Sequence, residues 1–165
     1  MPEQATIERA REDAKEGKSP STQAGEFVRE EIHHVREGKH GARSAKQAVA
    51  IGLSKARRAG IKLRAPGKGA ASAETREKAN RDYQKGQKSG SRKPSAKRSR
   101  ATSAALKREG HSAASSAALS RHAQVTAKKR GSRARSAAAK KAARTKGVEG
   151  RKEAAHRAGS TRRAA

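Results

Sequence analysis

The chain has 165 residues and a net charge of +27, from 42 Lys and Arg against 15 Asp and Glu, with no Cys and no Trp. Disulfides and thiolate metal sites are therefore excluded, and no apolar run reaches the length of a signal peptide or membrane span, which points to a soluble cytoplasmic protein. Aromatic residues make up 1% and the 32% hydrophobic fraction is largely Ala, so most of the chain has too little apolar area to offset an ordering cost of roughly 1–2 kcal/mol per residue.

Residues 1–19 form the one stretch that is not basic, with four bases against five acids. Ile7, Ala10 and Ala14 share a helical face, and the spacing predicts a polar helix ending at Gly17, able to pack as a third helix against residues 20–64. Ser19-Pro20 opens the next element, with Pro at the first helical position, where its missing N–H costs nothing.

Residues 20–64 hold most of the large aliphatic side chains and the sole Phe, Phe27. Ala24, Phe27, Val28, Glu31/Ile32 and Val35 recur at the three-and-four spacing of one helical face, and Gly38 supplies a C-terminal cap. After a polar loop over residues 38–43, Ser44 and Gln47 read as a capping box. Ala45, Ala48, Val49, Gly52, Leu53 and Ala56 then make a narrow stripe of small residues. Gly60 ends this helix, with Ile61 folding back over its last turn. The prediction is a helical hairpin whose core or self-association residues are Phe27, Val28, Ile32, Val35, Val49 and Leu53. A hairpin of this size is marginal alone, so dimerisation through Phe27, Ile32 and Leu53 is expected.

The run over residues 26–56, especially RSAKQAVAIGLSKAR, resembles a short domain of small basic bacterial proteins whose function is unassigned. The most specific part reads K-Q-A-hydrophobic-A-I-x-L-S-x-A. The resemblance implies a helical fold and a bacterial origin, and no mechanism.

Residues 65–100 are rich in Gly, Ser, Pro and Lys and read as a linker, with room for one short helix over residues 73–85 that carries Tyr83. Residues 101–165 are low-complexity Ala/Lys/Arg/Ser sequence, with SAAL at 103–106 repeated at 116–119. Gly110, Gly131, Gly147, Gly150 and Gly159 divide this region into blocks of high helix propensity that have almost nothing to bury. The fold class is thus mainly α, a small hairpin of two or three helices followed by a long disordered or conditionally helical tail. The segment KKRGSRARSAAAKKAARTKG resembles the C-terminal tails of linker histones and of bacterial histone-like proteins.

Charge rises along the chain, to seventeen bases against three acids in residues 101–165. Such a chain seeks polyanions, and the absence of a bulky apolar face argues against a membrane surface. The nucleic-acid contacts expected are Lys55, Arg57 and Arg58 at the end of the second helix, and Lys97, Arg98 and Arg100 in the linker. In the tail they are Lys128, Lys129, Arg130, Arg133, Arg135, Lys140, Lys141, Arg144, Lys146, Arg162 and Arg163. The expected function is sequence-independent DNA binding through phosphates, histone-like and nucleoid-associated, with DNA favoured over RNA. An RNA-binding or ribosome-associated protein and a disordered stress hydrophilin are the alternatives. A helix-turn-helix centred on Gly52 would aim Lys55, Arg57 and Arg58 into the major groove, but Gly60 leaves its recognition helix short, and one continuous helix is the better reading.

His33, His34 and His40 lie near Glu30 and Glu37. The pairs His33/Glu37 and Glu30/His34 have i,i+4 spacing, yet no third ligand is fixed, so no metal and no cofactor is expected. Without a nucleophile-base pair or a phosphate-binding loop, the chain reads as a non-enzyme.

Overall fold

Helix formation follows the caps and the apolar spacing written in residues 4–58. The computed structural model describes residues 2–88 and 95–163, with side chains except at 146, 154, 157, 158 and 161–163. It is mainly helical, with α1 (Gln4–Lys15), α2 (Pro20–Arg36), α3 (Ala45–Arg58), α4 (Ala73–Gln87), α5 (Ala96–Lys107), a single 3-10 turn (Ser112–Ala114) and α6 (Ser116–Arg163). Among the described residues an isolated bridge between Lys68 and Ala71 is the only extended pairing. The chain divides into two compact units, Met1–Ser120 and Arg121–Ala165.

In the first unit α2 is the hub, packed against α1, α3 and the 3-10 turn, while α4 packs on α3. Ser44 Oγ accepts from the Gln47 N–H, and Gln47 Oε1 turns back to accept from the Arg43 N–H. The reciprocal half of the expected capping box thus falls one residue earlier. Beyond α3, Gly60 takes φ 94°, and the Ile61 N–H closes on the Ala56 carbonyl at 3.2 Å. That closure lays Ile61 against Phe27, Ala10, Ala24 and Ala56, together with Ile7, Leu53 and Leu63. A second cluster joins Val35, Ala42 and Ala48 to Ala113 and Ala114, with Ile32 at its margin.

With so few large side chains, the packing works by close approach of backbones. Gly52 is buried inside a continuous α3, where a Cβ would sit 2.6 Å from Val28 Cα. This continuity removes the helix-turn-helix reading: Gly52 is a contact point between helices, not a turn. A Cβ at Gly86 on α4 would overlap the Arg57 carbonyl, and one at Gly41 would overlap the Glu109 carbonyl.

The body therefore extends past the hairpin in both directions. Fifteen residues of the stretch expected to be linker form α4, and part of the expected tail returns to the α2–α3 loop. There the Gly41 and Ala42 N–H groups donate to the Leu106 and Gly110 carbonyls at 2.9 and 3.0 Å, and Arg36 Nε donates to the Ala114 carbonyl at 2.9 Å. The expected linker also covers residues 89–94, which lie outside the described residues.

Within the second unit, α6 is interrupted by non-helical backbone at Gly131 and Gly147, two of the five glycines expected to divide the region. Arg135 Nη1 donates to the Ala127 carbonyl at 2.9 Å, satisfying one of the acceptors left open where the helix breaks at Gly131.

Gly25 and Gly52 offer a paired test of this packing. Ala at Gly52 forces α2 and α3 apart and should cost about 1–3 kcal/mol. Ala at Gly25, whose Cβ meets nothing within 4 Å, should stabilise by about 0.5–1 kcal/mol. Thermal or urea unfolding of the two full-length variants reads both signs.

Candidate functional site

Nearly every acid of the first unit faces a cation. Of the thirteen Asp and Glu in residues 1–120, all but Glu8 and Glu12 hold an ion pair. Of the expected nucleic-acid contacts at the end of α3, Lys55 and Arg58 face such acids. Lys55 Nζ lies 2.6 Å from Glu31 Oε2 and 3.5 Å from Glu30 Oε1. Arg57 is 7% exposed, donates from Nε to the Leu63 carbonyl at 3.2 Å, and has its pKa lowered by burial. Arg58 Nε lies 2.7 Å from Asp82 Oδ1, whose other oxygen accepts from Ser54 Oγ at 2.7 Å. Lys55 and Arg57 are thus engaged within the first unit, and Arg58 ties α3 to α4. Sequence reasoning placed all three correctly at the helix terminus but could not see the acids that α2 and α4 bring to Lys55 and Arg58, nor the Leu63 carbonyl that meets Arg57.

Lys97, Arg98 and Arg100 are exposed on α5, and none of them holds an ion pair with a described residue. On α6 the expected contacts Lys128, Lys129, Arg130, Arg133, Arg135, Lys140, Lys141 and Arg144 are all exposed. They too hold no ion pair among the described residues. Lys146, Arg162 and Arg163 lie on the α6 backbone, with their side chains outside the described set. Of the two acids beyond Ser120, Glu149 faces Lys152 at 3.1 Å. The positions from Arg121 to Arg144 present cations around the helix with no apolar face between them, and Val125, 52% exposed, is the largest apolar side chain there.

Two of the six expected core residues lie fully inside. Phe27 and Val35 are fully buried, while Val28, Ile32, Val49 and Leu53 are partly buried. With no exposed surface, Phe27 has nothing to offer a dimer contact, and Ile32 and Leu53 pack on the two internal clusters. Tyr83 is partly buried on α4.

A second constellation lies on α2. Glu30 and Glu31 are 4% and 0% exposed. Glu30 Oε2 accepts from the Glu3 N–H at 3.1 Å, a carboxylate against the positive end of α1. Glu31 Oε1 is 3.2 Å from His40 Nε2, and Glu30 Oε1 is 3.9 Å from His34 Nδ1. Glu30 Oε1 and both oxygens of Glu31 have these neighbours and Lys55 at ion-pair distance, yet none is aligned as a hydrogen bond. On the outer side, His34 Nε2 is 2.8 Å from Glu3 Oε1. The hydrogen bonds from His34 and Lys39 lower the Glu3 carboxyl from 4.5 to about 2. The i,i+4 pairs noted in the sequence point the right way for Glu30 and His34, but the buried partner that unites the group is Glu31. His33 and Glu37 are exposed.

No membrane-crossing helix is found among the described residues, none being long and apolar enough. No protein-family model matches the chain, and comparison with curated proteins and with solved structures finds no match.

Replacing Lys55 with Gln leaves Glu31 buried without its ammonium. This should destabilise the first unit by about 3 kcal/mol, toward the lower end for a broken buried pair because Lys55 keeps some exposure. A filter-binding titration should show unchanged affinity for duplex DNA at a temperature where the variant remains folded.

Proposed function

We propose that the protein binds nucleic acid without sequence preference, with duplex DNA as the favoured ligand, through the exposed cations of α6. The observation that supports this is the contrast in pairing. Eleven of the thirteen acids of the first unit face cations of that unit, whereas Lys128, Lys129, Arg130, Arg133, Arg135, Lys140, Lys141 and Arg144 are exposed and face none among the described residues. Each such cation that neutralises a phosphate releases a condensed counterion, and affinity then falls with salt at a slope of about −0.9 per contact on B-form DNA. Cations distributed around a helix provide phosphate contacts in many orientations, and no fixed frame of hydrogen-bonding side chains is present among the described residues to read base edges.

The same geometry disfavours a lipid surface, because an interfacial helix needs a wide, bulky apolar face. Helicity of α6 beyond Ser120 is conditional in this reading. Like charges along α6 repel, little is buried to hold the helix, and phosphate neutralisation removes the repulsion. The first unit serves as a folded body that carries the basic segment and keeps its own acids away from it by engaging them internally.

A salt titration of duplex binding tests the proposal. Full-length protein should give a steep negative slope of log affinity against log salt. Replacing Lys128, Lys129 and Arg130 together with Gln should lower the magnitude of that slope by about 2–3, while Arg58→Gln should leave it unchanged. A slope near zero, or one altered by Arg58 and not by the triple replacement, overturns the reading.

A further inference from the structure

We propose that Glu31, His34 and His40 bind a single zinc ion. The three residues each offer one ligand atom, and these atoms lie within 4.8 Å of one another. Two imidazoles and a carboxylate are a donor set suited to Zn²⁺.

The outer partners of each imidazole fix which ring nitrogen carries the proton. His40 Nδ1 is 3.1 Å from the Gly41 carbonyl, which can only accept, so Nδ1 holds the hydrogen. In a neutral ring Nε2 then presents a lone pair, and it faces Glu31 Oε1, another acceptor, at 3.2 Å. Two acceptors at that distance repel unless a cation lies between them. His34 repeats the arrangement. Its Nε2 donates to the ionised Glu3 carboxylate at 2.8 Å, which leaves Nδ1 as the lone-pair nitrogen, turned toward the buried carboxylates. Each imidazole is thus oriented by an outer acceptor, a carbonyl for one and a carboxylate for the other, the arrangement that fixes the tautomer of metal-binding histidines.

The charge balance agrees. Two buried carboxylates, Glu30 and Glu31, face one ammonium, Lys55, leaving a negative charge without a fixed partner in a place where an uncompensated charge is costly. Lys55 lies against Glu31 Oε2, so Oε1 remains for the ion. Glu31 is fully buried and neither of its oxygens is hydrogen-bonded. Tetrahedral zinc holds its ligand atoms about 3.3 Å apart, given bonds of about 2.0–2.1 Å. Closing the difference requires rotation of His40, which sits in the loop after α2, and of His34 in the last turn of that helix. A cavity of about 280 Å³, lined in part by Glu3, Glu30 and His34, opens on the His34 side of the group.

The test is titration of chelator-treated full-length protein with zinc chloride by calorimetry, followed by Co²⁺ substitution read in the visible spectrum. One equivalent should bind and raise the unfolding midpoint, and Co²⁺ should give ligand-field bands of a four-coordinate site. His34→Gln and His40→Gln should abolish saturable binding, and His33→Gln, an exposed neighbour, should leave it intact. Should the first two variants fail to fold by circular dichroism, Glu3→Gln keeps the proposal testable. It touches only the outer acceptor of His34 and should weaken zinc about ten-fold. Absence of saturable binding overturns the proposal and assigns the slot to a proton. Binding insensitive to His34→Gln, His40→Gln and Glu3→Gln overturns it as well, by placing the ion on other surface histidines.

Discussion

The acids of this protein are few, and their placement governs everything else. Thirteen of the fifteen fall within residues 1–120, where eleven hold ion pairs with Lys, Arg or His. Most of these pairs are exposed and individually contribute little. The exceptions are buried: Glu30 and Glu31 against Lys55, linking the two central helices. Because the acids are consumed there, the cations beyond Ser120 have almost nothing to neutralise them within the chain. One distribution of charge thus accounts for a folded body and for a segment whose positive charge its own acids leave largely uncompensated.

A core poor in aromatic and large aliphatic residues needs another source of cohesion, and it comes from backbone proximity. Gly52 lets α3 approach α2 at Val28, Gly86 lets α4 approach the end of α3, and Gly41 admits the Glu109 carbonyl. The Ala-rich faces around these glycines, Ala24, Ala48 and Ala56 among them, are fully buried. Small side chains bring the helices close enough for many weak dispersion contacts, each only about 0.1–0.2 kcal/mol, to accumulate.

The two central helices were legible because their signals are local. Phe27, Val28, Ile32 and Val35 keep helical spacing, Ser44 caps the second helix, and Gly60 with Ile61 closes it. The docking of α4 and of residues 106–114 was not legible, since it depends on carbonyls and glycines that carry no hydropathy signal, as at Gly86 and Gly41. Of the candidate sites, the cations of α6 were readable from charge density alone. The partners of the α3 cations were not readable, because a Lys or Arg in a last helical turn looks the same whether an acid from another helix faces it or not. Glu31 did leave a trace. It stands four residues after Phe27 and four before Val35, on the apolar face, and a carboxylate in that register marks a buried polar partner.

The division between internally engaged and outward-facing cations is most directly tested by lysine reactivity. Full-length protein would be acetylated briefly with and without saturating duplex DNA, and each lysine quantified by mass spectrometry. The account predicts that DNA protects Lys128, Lys129, Lys140 and Lys141, while Lys18, Lys39 and Lys55 change little. Protection at those three with no protection along α6 would contradict it.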